Sequence, residues 1–153
     1  MGKTVLRKSG RSVGRKSGRS VGRRSAARPT EHSEQVVVVG QLRQAGVLVC
    51  AIPIAGRRGK VAGAKLVREG MSKGAPDLLI FDAPPALDGK VGTALEMKRE
   101  GATKSTVRPE QRRWLEKLSE RGWHTLVGYG AKDALKKLKD AGYDVRPFPE
   151  QSG

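Results

Sequence analysis

The sequence predicts one α/β domain, a mixed sheet covered by helices, behind a basic low-complexity arm. Three observations predict it. The periodicities run helix, strand, strand, strand, helix, strand, helix, an order that closes a sheet beneath helices. The texture of the chain changes abruptly near residue 31, where a Gly/Ser/Arg repeat gives way to apolar runs. Finally, 153 residues with 37% hydrophobic content suffice for one modest core and not for two.

The arm comes first. Arg-Lys-Ser-Gly-Arg-Ser-Val-Gly occurs at residues 7–14 and again, unchanged, at 15–22. With Gly, Ser and like charges dominating, residues 1–30 cannot recover their ordering entropy by burial and are expected to be disordered in isolation. They carry ten basic and no acidic residues out of a total of 31 basic and 15 acidic, leaving 21 against 15 for residues 31–153. The whole chain is thus strongly basic, formally +16 with a pI near 10.7, while the folded part is only mildly so. A polyanion is the natural partner, and the arm would cling to phosphates through counterion release. Charge alone does not separate DNA from RNA.

Gln35–Gln44 reads as the first helix, capped by Ser33 and stopped at Gly46, although its four consecutive valines would suit a strand equally. Val47–Ile52 is a short apolar strand closed by Pro53, with Cys50 expected to be a buried small hydrophobe. One cysteine builds neither a disulfide framework nor a cysteine zinc cluster within a chain. A basic loop, Gly56–Lys60, follows, and Ala62–Glu69 suits a short helix. Asp77–Asp82 and Val91–Lys98 read as strands joined by a turn over Pro84–Lys90, and Gly101–Arg108 as a polar loop. Pro109 fits the first position of a helix over Glu110–Arg121, whose Trp114, Leu115 and Leu118 share helical spacing. Trp123–Tyr129 is the last strand and Ala131–Ala141 the last helix. Residues 143–153 read as a tail, which sets the folded domain at 31–142. No stretch approaches the roughly 18 apolar residues of a membrane span, and the basic N-terminus has no apolar signal core, so a soluble, cytoplasmic protein is expected.

In Glu96-Met97-Lys98 the strand period of two puts a carboxylate and an ammonium on one face and Leu95 and Met97 on the other. Asp77 begins the preceding strand, after Gly74-Ala75-Pro76, and hairpin pairing would bring it towards Glu96. Two convergent carboxylates can hold a hard divalent cation, which would acidify water and polarise a phosphodiester. The same residues also read as a cross-strand ion pair on a solvated sheet face, and spacing alone does not choose. His32 and His124 lack metal-ligand spacing, and Trp114 and Trp123 read as core residues.

Four motifs together resemble the virus-type replication-repair nuclease (VRR-NUC) branch of the PD-(D/E)XK superfamily. They are the acid before the first helix in Ser33-Glu34-Gln35; the stretch Arg68-Glu69-Gly70-Met71-Ser72-Lys73-Gly74-Ala75-Pro76-Asp77-Leu78-Leu79-Ile80; the Glu96-Met97-Lys98 triplet; and Pro109-Glu110-Gln111-Arg112-Arg113-Trp114-Leu115. The resemblance covers roughly residues 31–141. It implies a restriction-endonuclease-like core of order αβββαβ with a final helix, and a nuclease that hydrolyses DNA with Mg²⁺, for which Mn²⁺ would substitute. By that likeness Asp77 and Glu96 bind metal, Glu34 assists the metal site, Lys98 serves the attacking water, and Gln111 lines the site. Glu31, one helical turn from Glu34, competes for its place, and Gln111 also reads as an exposed first-turn residue. Arg57, Arg58, Lys60, Lys73 and Lys104 are candidate phosphate contacts. The family likeness further points to flaps, junctions or ends in phage or bacterial replication and repair, and a two-fold symmetric junction would call for a homodimer. The competing class is a non-catalytic nucleic-acid-binding module that uses the arm and basic surface while its carboxylates serve as ion-pair partners.

Overall fold

A computed structural model of the chain describes residues 1–2, 28–52, 60–146 and 148. The repeats of the arm, with Arg57 and Arg58, lie outside the described residues, as does the side chain of Lys60.

The elements in order are α1 (Glu31–Gln44), β1 (Val49–Ala51), α2 (Lys60–Arg68), β2 (Leu78–Ile80), β3 (Thr93–Lys98), a single 3₁₀ turn (Lys104–Thr106), α3 (Pro109–Ser119), β4 (His124–Tyr129) and α4 (Gly130–Asp140). Helix α1 begins four residues before the sequence expectation. Thr30 is the N-cap, its side chain accepting from the Ser33 N–H at 3.1 Å while Ser33 Oγ accepts from the Thr30 N–H at 2.9 Å. Ser33 is therefore the return half of the cap, three residues inside the helix. The helix buries the narrow stripe Glu34, Val38 and Leu42, and Val36 and Val37 are exposed. α2 is the short helix expected over Ala62–Glu69, set two residues earlier at its start, and the strands are shorter than the apolar runs that announced them.

The sheet order is β1-β2-β3-β4, with β1/β2 and β2/β3 antiparallel and β3/β4 parallel. The parallel pair requires a crossover, which α3 supplies. Leu78 pairs with Leu95 and Ile80 with Val49 and Thr93, so Val49, Ile80, Leu78, Leu95 and Met97 line one face. Val38 and Leu42 of α1 and Ala134, Leu135 and Leu138 of α4 join them in the core. Gly128 lets α4 approach: a Cβ there would stand 2.6 Å from the Ala134 methyl.

Two expectations fail for physical reasons. Cys50 is exposed, because it pairs with Leu79 on the sheet face opposite the core and sits on an edge strand. The segment after Gly142 does not begin as a tail: Tyr143 and Val145 are in the core. The Tyr143 hydroxyl donates to the Asp82 carbonyl at 2.7 Å and lies 2.9 Å from Thr93 Oγ1, and burial raises its pKa. Trp114 and Trp123 are only half-buried, and Trp123 meets Phe81 edge to face at 6.2 Å. Among the described residues no helix is long and apolar enough to cross a membrane.

Candidate active site

The core-facing side chains of β3 dictate where its other face looks. With Leu95 and Met97 buried against α1 and α4, the alternation turns Glu96 and Lys98 to the side of α3. The β2/β3 ladder ends at Leu78 opposite Leu95, so continuing its register sets Asp77 across from Glu96. There the Asp77 carboxylate accepts the Met97 N–H at 2.7 Å, and the Asp77 carbonyl accepts the Ile52 N–H at 2.9 Å. The acid is thus tied to both neighbouring strands.

Gly74 docks this strand start onto α3. Its φ of +84° favours glycine, and a Cβ there would lie 2.6 Å from the carbonyl carbon and oxygen of Glu110 and 2.9 Å from the Gln111 nitrogen. That close approach brings Gln111 over the sheet. Its Oε1 accepts the Arg108 N–H at 2.9 Å, which fixes the amide orientation, because a backbone N–H can only donate. The amide nitrogen then points inward and donates to Glu96 Oε1. Lys98 Nζ donates to the same oxygen at 2.7 Å. The other oxygen of Glu96, Oε2, is buried without a partner among the described residues.

The electrostatics follow from this crowding. Burial, followed by the charge of Asp77, pushes the Glu96 pKa up to about 7 against the pull of Lys98 and Arg108. Asp77 is raised as well, chiefly by burial, with the Met97 hydrogen bond and Lys98 opposing and the charge of Glu31 adding to the rise. Two acids that are each held from ionising by burial and by repulsion, one with an unmet oxygen, form a place where a cation would relieve every adverse interaction at once.

Asp77, Glu96, Lys98 and Gln111 are therefore brought together. Gln111 is 2% exposed and is no surface residue. Glu34 is buried, with Oε2 unpartnered among the described residues, and its Oε1 lies 2.9 Å from where a Cβ on Gly130 would be. Exposed Glu31 reaches the end of β3 instead, accepting the Arg99 N–H at 3.2 Å, and its charge acts on Asp77. Among the described residues no three of His, Cys, Asp and Glu converge closely enough to hold a metal ion. The expected set of Glu34, Asp77 and Glu96 is thus not assembled, and two carboxylates form the centre. Lys73 and Lys104 are exposed, in the loop before Gly74 and in the 3₁₀ turn. Sequence reasoning missed Arg108, whose positive charge reaches both acids; its one signal was its place immediately before Pro109, the helix's first residue.

The family model for the VRR-NUC domain matches residues 29–132. This chain belongs to the VRR-NUC domain family. The matched span contains every residue of the centre just described. A solved structure described as a VRR_NUC domain protein is similar in fold, with a TM-score of 0.58 and 24% identity over 74% of this chain and 88% of the other. No curated protein matches the chain. VRR-NUC domains are nucleases of the PD-(D/E)XK type, so nucleic acid is the class of substrate and divalent metal the general class of cofactor for such centres. The donor set here fits such an ion: Asp77 and Glu96 supply hard oxygen ligands, and the unpartnered Glu96 Oε2 is free to bind.

Proposed function

We propose that this VRR-NUC protein is a Mg²⁺-dependent DNA nuclease, directed by structure to flaps, junctions or ends during replication or repair. The observation that carries the reading is the buried Glu96 carboxylate, held at one oxygen by Lys98 and Gln111 and unpartnered at the other, opposite Asp77.

Asp77 and Glu96 would hold the ion, with Mn²⁺ able to substitute. A divalent cation there supplies Lewis acidity to the phosphodiester and acidifies water. The protein does the rest by position. Gln111 and Lys98 fix the rotamer of Glu96, and the Met97 N–H fixes that of Asp77. Lys98 Nζ retains two further donor positions beyond its bond to Glu96, with which to orient an attacking water or stabilise charge on the phosphorane-like transition state. Its burial keeps bulk water from competing for those donors.

The ion pair of Glu96 with Lys98 gives the non-catalytic reading its one support. That reading leaves Glu96 Oε2 and the raised pKa values without a purpose. The deciding experiment is cleavage of labelled linear, flapped and four-way-junction DNA by the full chain with Mg²⁺, Mn²⁺ or chelator, comparing wild type with Asp77→Ala and Lys98→Ala. Metal-dependent cutting lost in both variants supports the nuclease. Binding without cutting, unchanged in the variants, overturns it.

A further inference from the structure

The centre holds its carboxylates well but offers an incoming phosphate little positive charge from within, because Lys98 is 8% exposed and bonded to Glu96. Arg108 stands differently. Extended at φ −67°, ψ 154°, as a residue before proline prefers, it anchors its N–H to Gln111 Oε1, and Gln111 in turn bonds Glu96. Its main chain is therefore two hydrogen bonds from the central carboxylate, while its side chain is 60% exposed.

Among the described residues the guanidinium makes no hydrogen bond, and its one ion pair, Nε to Glu110 Oε1, spans 3.8 Å. The terminal nitrogens of the fork are uncommitted there. The group also sits at the N-terminal end of α3, where the helix dipole disfavours a cation. An anion bound between the two would offset that cost, since the dipole and the guanidinium attract it together. Lys73 and Lys104 are exposed too, but Arg108 is the one tied through its backbone to the centre, and its charge acts on both acids without pairing with either.

We propose that Arg108 is a substrate-contacting residue whose guanidinium fork takes the non-bridging oxygens of a DNA phosphate at the mouth of the site. The inference rests on the nuclease reading above and assigns its phosphate clamp. A planar fork reads a phosphate bidentately, which lysine cannot.

The test compares wild type, Arg108→Gln and Arg108→Lys as full chains. Flapped DNA is cut with Mg²⁺, and the same DNA is bound in chelator across a salt series. Arg108→Gln keeps the backbone N–H that holds Gln111, so its unfolding midpoint should match wild type. Losing a charge-assisted contact should raise KM about ten- to a hundredfold with a smaller fall in kcat. The slope of log affinity against log salt should fall by about 0.9. Arg108→Lys should restore the slope and only part of kcat/KM. Unchanged KM and slope in Arg108→Gln, with wild type cutting, would overturn the clamp and leave the nuclease standing. If wild type binds DNA and cuts nothing, the nuclease reading fails, and the salt slope alone still decides whether Arg108 meets a phosphate.

Discussion

Replacing Glu96 by Gln isolates the strain of a buried acid. The two side chains have nearly the same shape, and the new carbonyl oxygen still accepts from Lys98 Nζ and the Gln111 amide. Only the ionisation is removed. In the folded protein Glu96 is held up to about 7 from an ordinary 4.5. A raised carboxylate favours folding while protonated, so its contribution is fully present below the unfolded value of 4.5 and is lost as pH rises through about 7. That rise corresponds to roughly 3 kcal/mol against the folded state once the group ionises. At pH 8 without metal, Glu96→Gln should therefore be more stable than wild type by up to about 3 kcal/mol, and near equal at pH 4.5. Asp77 is raised in the same sense, and His124, lowered by burial, acts oppositely by gaining stability as pH rises. Both are common to the two proteins, so the difference between them reports Glu96. Urea unfolding followed by circular dichroism, at half-unit steps of pH, measures it. Mg²⁺ should reverse the order at pH 8 once it is in large excess, since an ion at about a thousand times its Kd adds about 4.1 kcal/mol to wild type alone. A wild type whose stability does not fall relative to the variant between pH 4.5 and 8 would refute the reasoning.

Three further outcomes follow from the same contacts. Gly74→Ala forces a Cβ against the backbone of Glu110 at positive φ and should cost at least about 2 kcal/mol in urea unfolding, with kcat reduced because Asp77 and Gln111 move apart. Gln111→Leu leaves the Arg108 N–H unmet and removes a donor from Glu96; a loss of about 1–3 kcal/mol is expected, together with a lower kcat at little-changed DNA affinity, read by single-turnover cleavage. Val145→Ala should cost about 1–3 kcal/mol in chemical denaturation, since Val145 is fully buried; an effect near zero would return the segment after Gly142 to the status of a tail.

Much of the fold was legible because it is written in short-range rules. The Leu95/Met97 alternation specified which face of β3 met the core, and Pro109 with Gly122 bracketed α3. Where legibility failed, a distant partner decided. Four valines in a row cannot announce that only Val38 among them is fully buried; α4 selects it by packing against one stripe of α1. Cys50 looked buried by its neighbours, yet β1 is an edge strand and its outer face is left open, which depends on the sheet order rather than on any local spacing. Tyr143 and Val145 follow a helix stop and a glycine, and nothing before them reveals that Asp82 and Thr93 wait for a hydroxyl there.

The site divides along the same line. Asp77 and Glu96 were within reach of sequence reasoning because both belong to one hairpin, and a ladder register needs only counting. Arg108 was not, because its part depends on where α3 lands. That landing is set by Gly74, whose missing Cβ admits the backbone of Glu110 and so places Gln111 over Glu96 and Arg108 at the rim. The upstream acid illustrates the remaining limit. Glu31 and Glu34 lie one turn apart on α1, and helical spacing treats them alike. In the fold, the backbone of Arg99 captures Glu31 at the strand end beside Asp77, and Glu34 turns inward against Gly130. A contact with Arg99, 68 positions along the chain, separates two residues that the local pattern leaves equivalent, and the charge of the exposed acid is one of those that raise the Asp77 pKa.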